Sequence, residues 1–177
     1  MLDHKHKISI GLVNPKSPDN VHFVMRAAGN FRVDNVYYTG VRYPDAVRRN
    51  PNAPDISRKV SEKVQLSQVD NLLDVVSDDM KIVCIEFAEN ALPLTDYVHP
   101  ANALYVFGPE DNTLSQAVID RADAVVYVPT VGCMNLSATV NVVLYDRFSK
   151  SSQRHDYENN ALILQSRDIN NVLKVNG

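Results

Sequence analysis

The sequence predicts an α/β fold: a mostly parallel sheet with helices on both faces. Three observations lead there. Short, strongly apolar runs recur along the chain, helical stripes separate them, and no internal repeat, low-complexity tract or second domain interrupts the alternation. Strands apolar on both faces belong to sheets covered on both sides. A length of 177 residues fits one domain, 1–177, with a core of about 7–150 and a C-terminal extension of 151–177.

Lys7–Val13 (KISIGLV) reads as the first strand. Ser17, Pro18 and Asp19 then open a helix, because serine caps, proline suits the first turn and aspartate favours the positive end. Val21, Val24, Met25 and Ala28 recur at helical spacing, and Gly29–Asn30 is a stop. Asn35–Gly40 reads as the second strand. Tyr43–Asp55 holds Pro44, Pro51 and Pro54, which predicts a loop with at most short helical turns. Ser67–Val76 is expected to be a helix and Lys81–Phe87 a buried strand. Ala103–Phe107 is the next strand, followed by a helix near Leu114–Arg121, and Ala124–Val128 is the last. Leu136, Val140, Val143 and Leu144 mark a helix running to about residue 149. Tyr157–Val175 reads as one more helix or a loose segment.

The apolar share of 45% and charged share of 22% are those of a globular protein. Neither a signal-peptide core nor a membrane-length apolar run is visible, so a cytoplasmic protein is expected. Cys84 and Cys133 lie in or beside apolar runs, which predicts reduced, mostly buried thiols. No glycine-rich dinucleotide turn, P-loop or nucleophile elbow occurs. His4 and His6 sit in a terminal tail, no Cys/His set has zinc spacing, and no metal is expected.

Three segments stand out. Asn20–Arg26 (NVHFVMR) places Arg26 on the flank of the first helix, where alone it reads as a surface arginine. Phe107–Gly108–Pro109–Glu110 ends an apolar strand, the position where open α/β sheets bind ligands, although alone it reads as a turn. Val128–Pro129, then Cys133–Met134–Asn135–Leu136–Ser137, runs from strand end to helix start, where Asn135 could simply be a cap.

In this order and at these separations, the three segments resemble the signature of the SpoU (TrmH) family of RNA ribose 2′-O-methyltransferases, of the SPOUT class. Asn20 and Arg26 match its first motif, and Phe107, Gly108 and Glu110 its second. Val128–Pro129, Cys133–Ser137 and Tyr145–Asp146 match its third. The likeness spans about residues 7–148. The sequence departs from it at His22, Asp111 and Thr113, which replace glycines, and at Cys133, which replaces serine.

The resemblance implies a C-terminal trefoil knot, a homodimer, and methyl transfer from S-adenosyl-L-methionine to RNA, with tRNA favoured over rRNA. It implies a cofactor site near Glu86, Gly108, Val128, Cys133 and Met134. Arg26, Asn20, Glu110 and Asn135 become the catalytic candidates. Arg26 would hold a phosphate or stabilise the developing alkoxide, since a guanidinium is a poor base. The two asparagines would orient Arg26 and the ribose, and Glu110 would fix Arg26 or accept the proton. Two other readings compete: a knotted RNA-binding dimer without methyl transfer, and an unrelated flavodoxin-like enzyme.

Charge gives an independent expectation. Residues 1–63 carry eleven Lys/Arg against six Asp/Glu, whereas residues 64–177 carry seven against fifteen. Arg42, Arg48, Arg49, Arg58, Lys59 and Lys63 crowd one proline-rich stretch. Arg48 and Arg49 are therefore candidate contacts to RNA phosphates.

Overall fold

The computed structural model describes residues 6–50, 62–152 and 160–175. Its strands are β1 (Ile8–Leu12), β2 (Asn35–Tyr38), β3 (Gln65–Gln68), β4 (Lys81–Ile85), β5 (Leu92–Pro93), β6 (Ala103–Phe107) and β7 (Ala124–Tyr127). Its helices are α1 (Pro18–Asn30), α2 (Arg42–Arg49), α3 (Gln116–Ile119), α4 (Leu136–Lys150) and α5 (Asn160–Ser166). One sheet runs β3-β2-β1-β6-β4-β7-β5, and every pairing in it is parallel. The loops that follow the strands therefore all leave from one edge.

Side chains alternate across a strand, so each central strand feeds two cores. Val83 and Ile85 of β4, and Ala103, Tyr105 and Phe107 of β6, point to the face covered by α1 and α4. Val21, Val24 and Ala28 of α1 meet Val140, Val143 and Leu144 of α4 there, all nearly solvent-free. Ile82, Cys84, Leu104 and Val106 point the other way, to Leu72 and Leu114. Gly11 of β1 also faces that side, where a β-carbon would stand 2.9 Å from Leu72 Cδ1. Burial pushes the Cys84 thiol up to about 12, which leaves it inert.

A buried polar network ties the segment before β6 to α4. His99 Nε2 meets Asp146 Oδ2 at 2.9 Å and its Nδ1 meets the Tyr105 hydroxyl at 2.6 Å. Arg147 Nη1 donates to that hydroxyl at 3.0 Å and to Pro100 O at 2.6 Å, while Nη2 donates to Ala101 O at 2.7 Å. Lys150 Nζ reaches Leu94 O and Asp146. Burial above all, with the charges of Arg147 and Lys150, holds His99 below its ordinary range against the pull of Asp146. A neutral ring with its proton on Nε2 satisfies every partner: it donates to Asp146 and accepts from Tyr105.

Three sequence expectations are corrected. Ser67–Val76 is not a helix: Gln65–Gln68 joins the sheet edge beside β2, and a single 3-10 turn, Leu72–Val75, follows under an Asn71 cap. Tyr43–Asp55 is not a loop throughout, because α2 occupies Arg42–Arg49. Pro44 falls in its first turn, where a missing N–H breaks no helical bond. Cys133 is exposed rather than buried, since it lies in the loop between β7 and α4. The two-residue strand β5 carried no readable pattern. Pro51, Pro54, Asp55, Arg58, Lys59 and His4 lie outside the described residues. Among the described residues no helix is long and apolar enough to cross a membrane, and no His/Cys/Asp/Glu group could hold a metal ion.

Tyr105→Phe should lower stability by about 1–3 kcal/mol, because His99 and Arg147 each lose a buried partner while packing is kept. Thermal or denaturant unfolding checks this; a loss of only a few tenths of a kcal/mol would show that the hydroxyl is not a keystone of the network.

Candidate active site

Three strand-end loops converge on one residue of α1. Ser17 caps that helix, its hydroxyl accepting from Asn20 N at 3.3 Å, and so fixes the first turn. The Asn20 side chain then bridges two other loops. Its Nδ2 donates to Glu110 Oε1 at 3.0 Å, and its Oδ1 accepts from Asn135 Nδ2 at 2.9 Å. Asn135 is also the predicted cap: its Oδ1 accepts from Ser137 N at 2.9 Å and from Ala138 N at 3.4 Å.

Glu110 accepts two further bonds, from Lys16 N at 2.8 Å and Ser17 N at 3.0 Å. Burial would push its carboxyl up, but the bonds from Asn20, Lys16 and Ser17 outweigh this and hold it below the usual carboxylate range. A group lowered in the fold stabilises above its unfolded pKa, and the contribution is lost as pH falls through the folded value. Glu110 thus touches Asn20 and the loop before α1. Among the described residues it makes no bond to Arg26.

Beside this chain of bonds lies a cleft at the C-terminal ends of β4, β6 and β7. Glu86, Gly108, Val128, Cys133 and Met134, the residues that the resemblance assigns to a cofactor site, all line it, and so does Glu110. Phe87, Asn112, Tyr127, Thr130 and Thr139 also line it; sequence reasoning missed these because they fall outside the motif positions. The cleft is open to solvent on one side, with a cavity volume of about 130 Å³. Glu86 shapes one wall. Its Oε2 accepts from Leu114 N at 2.9 Å and pins the loop that follows Gly108. A β-carbon on Gly108 would stand 3.4 Å from that carboxylate and from Leu114 N, so glycine keeps the wall thin.

Arg26 stands apart from its expected companions. It is half-buried on α1, does not line the cleft, and makes no hydrogen bond or ion pair among the described residues. Arg48 and Arg49 close α2 and are exposed; Arg48 pairs with Asp45 one turn earlier. Of the departures, His22, Asp111 and Thr113 all lie off the cleft lining and do not fill it.

Solved structures define the class of fold. The SpoU methyltransferase AviRb from Streptomyces viridochromogenes, in complex with AdoMet, matches 82% of this chain and 58% of its own at 20% identity, with a TM-score of 0.65. The A. aeolicus TrmH/SpoU tRNA modifying enzyme matches 86% of this chain and 77% of its own at 21% identity, with a TM-score of 0.66. The sheet is thus that of the SpoU methyltransferases. The sequence model of the SpoU rRNA methylase family matches residues 7–145, and the chain belongs to that family. A tRNA (cytidine-2′-O-)-methyltransferase TrmJ of Methanocaldococcus jannaschii is 29% identical over 160 residues, covering 81% of this chain and 68% of the relative. The chain thus spans about two thirds of that relative's length and 58% of AviRb's.

Asn20→Ala removes the one side chain that both Glu110 and Asn135 share. It should cost about 1–3 kcal/mol of stability at neutral pH, and the gap to the parent should narrow in acid, once Glu110 is protonated. Chemical denaturation at neutral and acid pH measures both; a gap independent of pH would separate Asn20 from the Glu110 charge.

Proposed function

We propose that this protein is a cytoplasmic RNA methyltransferase that moves a methyl group from S-adenosyl-L-methionine to a ribose 2′-hydroxyl of tRNA. The observation that carries the proposal is the cleft at the ends of β4, β6 and β7, flanked by the Glu110–Asn20–Asn135 chain, in a member of the SpoU family. The tRNA substrate rests on the tRNA methyltransferase of M. jannaschii and the tRNA modifying enzyme of A. aeolicus that the chain resembles.

The cleft residues fit the cofactor. Apolar Ile85, Val128, Met134 and Leu136 suit an adenine ring, and the strand-end backbone supplies donors and acceptors around it. Glu86 and Gly108 set the wall. When bound, S-adenosyl-L-methionine supplies an electrophilic methyl group that a ribose oxygen can attack.

The protein's part is to align that oxygen and to manage its proton. Glu110 is a weak candidate for the base, since its hydrogen bonds keep it ionised and occupied. We assign it the role of holding Asn20 and the loop before α1. Arg26, half-buried and without a hydrogen bond or ion pair among the described residues, is placed to hold an RNA phosphate or the developing alkoxide.

Because Arg26 does not line the cleft of its own chain, it would serve the cleft of a partner in a homodimer. Phe23 on α1 and Tyr145 on α4 support this, being 43% and 63% exposed on two helices that pack together. The trefoil knot that the family implies would be drawn around α4. The fastening of Leu94, Pro100 and Ala101 to that helix by Arg147 and Lys150 supports it.

The direct test is incubation with labelled S-adenosyl-L-methionine and either tRNA or rRNA, followed by nucleoside mass spectrometry. A 2′-O-methyl nucleoside formed in tRNA is expected, and label on a base instead would overturn the acceptor. Arg26→Ala should cut turnover by 100-fold or more, roughly the loss seen for a transition-state donor. Calorimetric affinity for S-adenosyl-L-methionine should stay within about two-fold. Turnover near that of the parent would remove Arg26 from the mechanism.

A further inference from the structure

At the rim of the cleft two cations share one carboxylate. Arg42 Nη1 and Nη2 reach Asp111 Oδ1 and Oδ2 at 2.9 and 2.8 Å, a two-bonded fork, and Lys16 Nζ stands 3.5 Å from Oδ2. Arg42 opens α2 just after β2, and Asp111 and Lys16 lie on the loops after β6 and β1; these three strands are neighbours in the sheet. Each is held by its backbone or by its place in the chain. Arg42 N donates to Asn14 Oδ1 at 3.3 Å, Lys16 N donates to Glu110 Oε2, and Asp111 lies between Glu110 and Asn112, both of the cleft. Asn14 is itself in the left-handed region, at φ 42°, beside Gly40 at φ 77°. A β-carbon on Gly40 would collide with the Asn14 side chain, so the Arg42 end of the fork stands on a shaped turn.

A planar fork plus an ammonium, gathered on two oxygens, is the arrangement that also binds a phosphodiester. We propose that Arg42 and Lys16 form a subsite for an RNA backbone phosphate beside the acceptor ribose, and that Asp111 occupies this subsite in the free protein. The inference rests on the RNA methyltransferase reading and deepens it. Asp111 stands where the family motif has glycine, so this chain carries its own competitor for the phosphate. With Arg42 29% exposed and Asp111 50% exposed, the carboxylate can swing into water when RNA arrives, while Arg42 stays in place. Binding then exchanges one anion for another, so this contact adds little net counterion release.

Removing the competitor should strengthen RNA binding rather than weaken it. In fluorescence anisotropy with labelled tRNA over a range of salt, Asp111→Asn is expected to bind about two- to five-fold tighter at low salt, the scale of an exposed ion pair. Its log-affinity against log-salt line should be steeper by about one phosphate contact. Arg42→Gln should bind more weakly, and Asp111→Asn added to Arg42→Gln should regain little. Calorimetric affinity for S-adenosyl-L-methionine and the melting temperature serve as controls and should change little in Asp111→Asn. An equal gain in the Arg42→Gln background would reduce Asp111 to a diffuse charge and overturn the subsite. So would an unchanged affinity and slope in Asp111→Asn. If the parent methylates tRNA while either result is found, only the subsite falls. If the parent neither binds nor methylates RNA, the functional reading falls with it.

Discussion

The Asn20 side chain binds two loops at once. A carboxamide carries a donor and an acceptor within about 2.3 Å of each other on one planar group, and Asn20 uses one toward Glu110 and the other toward Asn135. Aspartate at that position would set a carboxylate against Glu110, and leucine would leave both partners without a bond. Three loops, after β1, β6 and β7, therefore meet at one amide, and Lys16 N and Ser17 N add direct bonds from the first loop to Glu110 on the second. The cleft walls follow, since Gly108 and Glu110 sit on the second loop and Cys133 and Met134 on the third. The all-parallel sheet makes the arrangement possible by sending every strand-end loop to the same edge.

Glu110 gains its character from that setting. A carboxylate receiving two backbone N–H groups and an amide has little capacity left for a substrate proton. Its charge is better spent at the N-terminal end of α1, where the unpaired N–H groups and the helix dipole favour an anion. On the proposed function, proton removal would fall to water or to the RNA, with Arg26 assigned to the oxygen as it loses its hydrogen.

Much of this was legible in the sequence for identifiable reasons. Ser17 and Asn135 announce caps, and the stripes Val21–Val24–Ala28 and Val140–Val143–Leu144 announce the two helices that share one core. Strands β4 and β6 are apolar at every buried position because they lie in the middle of the sheet. The failures also have causes. Gln65–Gln68 is a polar edge strand made by pairing with β2, and nothing local distinguishes it from a helix start. Proline misled at Pro44, because its effect depends on whether it falls in a first turn or an interior one. At the cleft, the family resemblance marks Glu86, Gly108, Val128, Cys133 and Met134 of its lining, whereas Phe87, Tyr127 and Thr139 carry no motif signal. The motif singles out Arg26, but its separation from the cleft of its own chain is a fact of three dimensions alone.

On the proposed function, Glu110 serves as an ionised anchor for Asn20 and the start of α1 rather than as a proton acceptor poised near neutrality. Carbon-13 NMR titration of the Glu110 side-chain carboxyl tests it most directly, with the backbone amides of Lys16 and Ser17 followed in the same samples. The account predicts a pKa below the ordinary glutamate range, with both amide resonances moving at that same pH. A Glu110 that titrates at or above the ordinary value, with Lys16 and Ser17 amides indifferent to it, would contradict the account.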